Sequence, residues 1–273
     1  MKLLVTVISL LAAGVVSAAS PVWAVQTLGN VRKAAKLAQM ARRTSQIVRL
    51  GKCKNALPES EIRKLAGIAA EKGGLDKVGA LLGAAKIPAK YGREAGHLVL
   101  QDAYLRIAVT NGKISRATAA SVLKNLHGTE GLTALLRKIN SVNPAQTKGH
   151  LRELEIALKA KERGFQTVSF GQKFADGLKK ADTDLDVLLR RGRVNFAIES
   201  KAYSGNVSSI VVKEDAQSLA AFCGQVKKTV PVFCFEKEPS TTIKAYLKNH
   251  NVKCLWGSPE EISSKIDLLS TLY

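Results

Sequence analysis

Acidic charge is scarce in this chain: 22 Asp and Glu stand against 42 Lys and Arg in 273 residues, a formal net charge of +20. The deficit points away from basic partners and toward a polyanion, either a nucleic acid or an anionic membrane surface, and charge alone does not choose between them. Aromatic residues are also few, at 5%. None is interleaved among the cations of the basic helical stretches, which argues against base stacking as their mode of contact. There are four cysteines, Cys53, Cys223, Cys234 and Cys254, with no CxxC and no Cys/His spacing that would make a zinc site. Three of the four lie in apolar or strand-like contexts, where they read as small buried side chains, and the spacing decides no disulfide pairing. No internal repeat or low-complexity tract is present. Beyond the first two dozen residues no apolar run approaches the length of a membrane span.

Those first residues are MKLLVTVISLLAAGVVSAASPVWA: one lysine, an uncharged apolar run from Leu3 to about Ala19, then small residues. The pattern is that of a secretory signal peptide over residues 1–24, with Ser17-x-Ala19 or Val22-x-Ala24 as cleavage sites, and a retained anchor as the alternative. A secreted or periplasmic location is therefore expected.

The remaining chain divides by charge. Residues 25–148 hold 22 Lys and Arg against 7 Asp and Glu, whereas residues 149–273 hold 19 against 15. The first part has helical apolar spacing broken at Gly51, Pro58, Gly73-Gly74, Pro88, Asn111-Gly112 and Asn143-Pro144, so a basic all-α domain is expected there. Arg32, Lys33, Lys36, Arg42, Arg43 and Arg49 crowd one helical segment. They form either a solvated face or a surface for nucleic acid or membrane, with Arg42 and Arg43 as the candidate phosphate contacts. Asn143 to Lys148 reads as a linker.

After Lys148 the pattern changes. GHLRELEIALKAKERGF reads as a helix with Leu151, Leu154 and Leu158 on one side and Gly164 as its stop. FQTVSF, DLDVLL and VNFAIESKAY read as three strands, the last two joined by a basic turn at Arg190 to Arg193. KEDAQSLAAFCGQVKK, TVPVFCF, TTIKAYLKNH, VKCLW and PEEISSKIDLL then alternate helix and strand. This order predicts an α/β domain, a mixed sheet flanked by helices.

Alternation along a strand puts Asp184 and Asp186 on one face and Glu199 and Lys201 on one face, and the hairpin brings Asp186 near the latter pair. Carboxylates converging near a core need a cation. A hard divalent ion with oxygen ligands, Mg²⁺ or Mn²⁺, meets that need, while a plain Lys201–Glu199 ion pair is the simpler alternative. His150 and His250 sit in no metal or triad spacing and read as surface or capping residues.

The constellation of Glu153 in the helix, Asp184-Leu185-Asp186-Val187, and Phe196-Ala197-Ile198-Glu199-Ser200-Lys201 resembles the PD-(D/E)xK nuclease superfamily, the restriction-endonuclease-like fold. The resemblance covers about residues 149–236, lacks the Pro of the family's name and shows no target-recognition motif. It implies metal-dependent phosphodiester cleavage, with Asp186, Glu199 and the carbonyl of Ser200 as metal ligands and Lys201 aligning or activating the attacking water. Glu153 would complete the acidic set, in preference to Glu155. Asp184 and Gln217 would be accessory. The basic turn with Arg190, Arg191 and Arg193 reads either as a solvated turn or as a contact for the substrate backbone. The layout is similar to that of interbacterial toxins with terminal nuclease domains, implying DNA or tRNA as substrate and an inhibitor or immunity protein as partner. Two other readings stand beside it: a non-catalytic nucleic-acid-binding protein on a degenerate nuclease fold, and a membrane-anchored basic protein.

Overall fold

The computed structural model describes residues 57–71, 74–84, 92–174, 183–202 and 209–273. The leader, the segment carrying Arg42 and Arg43, and Cys53 lie outside the described residues. Described helices precede and flank a five-stranded mixed sheet, so the chain is α/β as its pattern predicts.

The helical part comprises α1 (Glu59–Ala70), a 3-10 turn at Leu75–Lys77, α2 (Val78–Ala84), α3 (Gly92–Thr110), α4 (Arg116–Asn125) and α5 (Leu132–Ile139). Ser115 caps α4 by accepting from the Thr118 N–H at 3.0 Å, the usual way to satisfy an orphan donor at a helix start. Ile62, Leu65 and Ala66 of α1 pack with Leu98 and Val99 of α3 in one cluster. Further along, Leu105 of α3, Val122 of α4 and Leu132, Leu135 and Leu136 of α5 join a second cluster that is continuous with the sheet.

The next helix, α6 (Pro144–Glu162), starts inside the stretch expected to be a linker. Asn143 accepts from the N–H groups of Ala145 and Gln146 at 3.0 and 3.3 Å, and Pro144 occupies the first turn, where its missing N–H costs nothing. The Asn-Pro pair marks a helix start, not a break between bodies. The expected boundary at residue 148 falls within α6, whose Leu154, Ile156 and Ala157 pack in the cluster shared with α3, α4 and α5. At its other end Gly164 takes φ 87°, a left-handed geometry suited to glycine, and turns the chain into the sheet.

The sheet has the order β1 (Gln166–Phe174), β2 (Thr183–Arg191), β3 (Val194–Lys201), β4 (Thr229–Phe235), β5 (Lys253–Trp256). β1, β2 and β3 run antiparallel; β3, β4 and β5 run parallel. The parallel connections are α7 (Ser209–Gln225) and α8 (Thr241–Asn249), and α9 (Pro259–Ser270) closes the described chain behind a capping box between Ser258 and Glu261. β3 is central and buried along nearly its whole length. Its Phe196 and Ile198 enter the core under α6 and α9, and Ala197 enters the core under α7 and α8, which explains why this strand reads as an apolar run instead of an alternation.

One contact ties the helices to the sheet edge. Phe170 of β1 donates its N–H to the carbonyl of Glu130 at 2.9 Å, and the next residue, Gly131, caps α5 with φ 78°. A Cβ there would overlap the Phe170 carbonyl. Gly131→Ala is therefore expected to cost at least about 2 kcal/mol, combining the left-handed penalty with the steric conflict. Urea denaturation of wild type and variant checks this, and a loss under about 0.5 kcal/mol, the range of ordinary surface substitutions, would contradict it.

Candidate active site

The site forms where β2 and β3 part. β2 stays paired with β1 as far as Thr183↔Phe174, but its pairing with β3 stops at Val187↔Ile198. Beyond that point a side chain replaces the ladder: Oδ2 of Asp186 accepts the Ser200 backbone N–H at 2.7 Å. One carboxylate oxygen is thereby fixed and the other is left for further chemistry. Glu199 and Lys201, two residues apart on one face of β3, meet directly, with Nζ 2.7 Å from Glu199 Oε1. The same ammonium lies 2.8 Å from Oδ2 of Asp215 on α7. Glu153, 6% exposed, comes from α6. Nδ1 of His150, one turn earlier on that helix, is 2.9 Å from its Oε1.

The electrostatics follow from burial and crowding. Burial, then the charges of Glu199 and Glu153, push the Asp186 carboxyl well above the usual carboxylate range. Burial raises Glu199 to about 7; Lys201 opposes the rise, while Asp215 and Glu153 add to it. For Lys201, burial works against the charged form, but Glu199, Asp186 and Asp215 outweigh it and hold the ammonium above the ordinary lysine range. Lys201 is therefore a cationic hydrogen-bond donor at neutral pH and cannot take up a proton.

Among the described residues no group of three or more His, Cys, Asp or Glu side chains is gathered to hold a metal ion. The donor set nonetheless suits one class of ion. Asp186 and Glu199 each have one oxygen engaged, by the Ser200 amide and by Lys201, and each keeps a second oxygen outside those bonds. Mg²⁺ needs only one or two carboxylates because it keeps most of its waters. The ligands are hard oxygens, whereas thiols are remote from this role. Burial raises Cys254 to about 11 and Cys223 to about 12 and holds Cys234 higher still, so these three free cysteines stay protonated at neutral pH.

The sequence expectations divide accordingly. Glu153, Asp186, Glu199, Ser200 and Lys201 come together. Glu155 is exposed on the outer side of α6. Asp184 is exposed two residues from Asp186 and opposite Lys173 of β1, outside the network. Gln217 does not face the site: it is exposed and donates to the Tyr246 hydroxyl at 3.2 Å, because its place on α7 points toward α8. The basic turn lies at the wrong end of the hairpin for a role at the acids. Five residues of strand separate Arg191 from Asp186, roughly 17 Å at ~3.3 Å per residue. Arg190 donates to Asn195, Arg191 pairs with Asp267 and sits over the Phe165 ring, and Arg193 is exposed beyond them. Ser200 is 8% exposed and contributes its amide, while its hydroxyl is buried without a partner.

Three residues of this region carried no role in the sequence reading. Asp215 sits on the inward stripe of α7 beside Val212, Ala216 and Leu219, and an acid on an apolar stripe was the available signal. His150, expected as a surface or capping residue, instead pairs with Glu153, and the i, i+3 spacing is the signal for it. His250 does cap a helix, its Nδ1 lying 2.9 Å from the Tyr246 carbonyl. Arg152 is buried and donates from Nη2 to the carbonyls of Phe235 and Gly257 at 2.7 and 2.8 Å, tying α6 to the carboxyl ends of β4 and β5. No sequence pattern marks that contact.

No protein-family model matches the chain, and no curated protein matches it. A crystal structure described as a protein of unknown function, AF1548, is similar with a TM-score of 0.32 and 18% identity, covering 44% of this chain and 66% of its own. A likeness that slight carries no argument.

Linkage gives a pH test of the acid cluster. Glu199 has a folded pKa near 7 against an unfolded value near 4.5, so the folded state holds its proton over that interval. Its contribution is fully present below about pH 4.5 and is lost as pH rises through 7. The stability of wild type relative to Glu199→Gln should therefore fall by a few kcal/mol, in order of magnitude, between pH 5 and 8 in the absence of metal. The burial-lowered His97 titrates alike in both proteins and cancels. A pH-independent difference in urea denaturation would show that Glu199 is not held in a desolvated acidic cluster.

Proposed function

We propose that this chain is a metal-dependent nuclease that hydrolyses phosphodiester bonds of DNA or tRNA. The observation that supports this best is the arrangement at the carboxyl end of the central strand. A permanently protonated lysine lies between Glu199 and Asp215, beside an Asp186 whose rotamer is fixed by the Ser200 amide. With a divalent cation on the two carboxylates, that cation and the ammonium beside it would offset the charge of a phosphodiester, which the carboxylates alone would repel. Phosphoryl transfer requires charge neutralisation and positioning more than covalent chemistry.

Asp186 and Glu199 would hold the cation, with the Ser200 carbonyl as a further oxygen. Mg²⁺ or Mn²⁺, when bound, acidifies a coordinated water and offsets charge developing on the phosphoryl oxygens. The chain's own residues do the rest. Lys201 donates hydrogen bonds, which orients an incoming water or stabilises a non-bridging oxygen. The Ser200 amide keeps Asp186 from turning away. His150 holds Glu153 so that its charge adds to the demand for a cation.

The basic stretch over residues 25–148 supplies sequence-independent attraction to the phosphate backbone, which weakens as salt rises. With a leader at residues 1–24 the enzyme would act outside the cytoplasm. Used as a toxin against competitors, it would require an inhibitor or immunity protein in the producing cell.

The test is cleavage of plasmid DNA and of total tRNA by the purified protein with Mg²⁺, with Mn²⁺ and with EDTA. Asp186→Ala and Lys201→Met should each lower the rate by roughly 100-fold or more, the scale of losing one preorganised electrostatic group, and EDTA should abolish it. Cleavage that survives in either variant or in EDTA would remove the proposed site. Binding without cleavage of any substrate would instead support a non-catalytic nucleic-acid-binding protein.

A further inference from the structure

The lysine of the site is held from two sides that do not depend on each other. Glu199 belongs to the same strand as Lys201, whereas Asp215 belongs to α7, which crosses that face of the sheet. Nζ lies 2.7 Å from Glu199 Oε1 and 2.8 Å from Asp215 Oδ2, using two of its three donors. The Lys201 side chain is 17% exposed and that of Asp215 is 19% exposed, so both charges are largely removed from water. Asp186 also acts on this ammonium, and Glu153, paired with His150, adds its charge beside Asp186 and Glu199. So acidic a cluster is a poor way to gain stability, because each added buried charge has to be desolvated.

We infer that Asp215 is a positioning residue whose task is to keep Lys201 in place once Glu199 is committed to a cation. This rests on the nuclease reading of the site. A cation on Glu199 withdraws charge from the carboxylate that Lys201 leans on and repels the ammonium directly. Lys201 has a flexible four-carbon stem, and with Glu199 as its sole partner it would swing toward solvent. Asp215 approaches from another element and holds the third donor free to point at substrate.

Amine acylation of the full-length protein, read residue by residue by mass spectrometry, tests this without reference to turnover. Lys265, which donates to the Trp256 carbonyl at 2.6 Å, is the internal control for general loosening. In the protein with saturating Mn²⁺, labelling of Lys201 should be slow in wild type and rise roughly tenfold in Asp215→Asn, the worth of one charge-assisted hydrogen bond. Asp215→Glu should recover part of the protection, and Lys265 should not change. In plasmid cleavage, Asp215→Asn should lower kcat roughly tenfold with KM unchanged, and it should add nothing when Lys201 is already Met.

Labelling of Lys201 that is unchanged in Asp215→Asn, or that rises together with Lys265, overturns the inference. So does a loss of kcat that persists in the Lys201→Met background. If wild type cuts no nucleic acid, the nuclease reading fails by itself, and the labelling still decides whether Asp215 holds the lysine.

Discussion

One ammonium shared among several carboxyl groups organises this protein. Lys201 is bonded to Glu199 and Asp215, and Asp186 and Glu153 lie within electrostatic reach of the pair. Burial first, and neighbouring negative charge after it, raises the carboxyl pKa values, while Glu199, Asp186 and Asp215 keep the lysine protonated. In water such a cluster would be screened. Here it sits at the edge of a packed core, where charge is expensive.

The fold exists around that cluster in a specific sense. β3 is central, and residues of both its faces enter the core, so Glu199 and Lys201 can occupy fixed positions only at its carboxyl end, where the neighbouring strand separates. The separation is sealed by Asp186 itself, which gives its carboxylate to the Ser200 amide. Helices on both sides then contribute: α6 brings Glu153 with its His150 partner, and α7 brings Asp215. Arg152 anchors α6 to the ends of β4 and β5, so Glu153 approaches from a helix that is fixed where the parallel strands finish. Placement of polar groups beyond the carboxyl ends of parallel strands is the common arrangement in α/β sheets.

Much of the architecture was legible in the residues. The change from helical spacing to strand-like segments after Gly164, the two-residue turn at Gly192, and the apolar run of TVPVFCF are strong local signals. The observed order of elements follows them. The hairpin also brings Asp186 near Glu199 and Lys201 by counting alone; the observed ladder ends one residue short of them, at Val187 opposite Ile198, and the Asp186 side chain accepts the Ser200 N–H instead. Some local signals are compatible with two outcomes. Asn143-Pro144 serves as a chain break or as a helix start, and the Asn143 side chain bonding to two N–H groups selects the second. Arginines in a turn suit a phosphate or a neighbouring helix, and Asp267 claims Arg191. Gln217 suits either side of α7, and Tyr246 of α8 takes it.

The sequence by itself determined the mixed α/β class, the β2–β3 hairpin, and the presence of several acids at the end where its strands part. These follow from side-chain period and turn chemistry, which act over a few residues. Tertiary structure alone decided which acids count: Asp215 enters and Asp184 stays in solvent, Glu153 is buried and Glu155 is not. The reason is that a pKa, an ion pair and a ligand set depend on distances between elements far apart in the chain. No periodicity in one segment records what another segment will place against it.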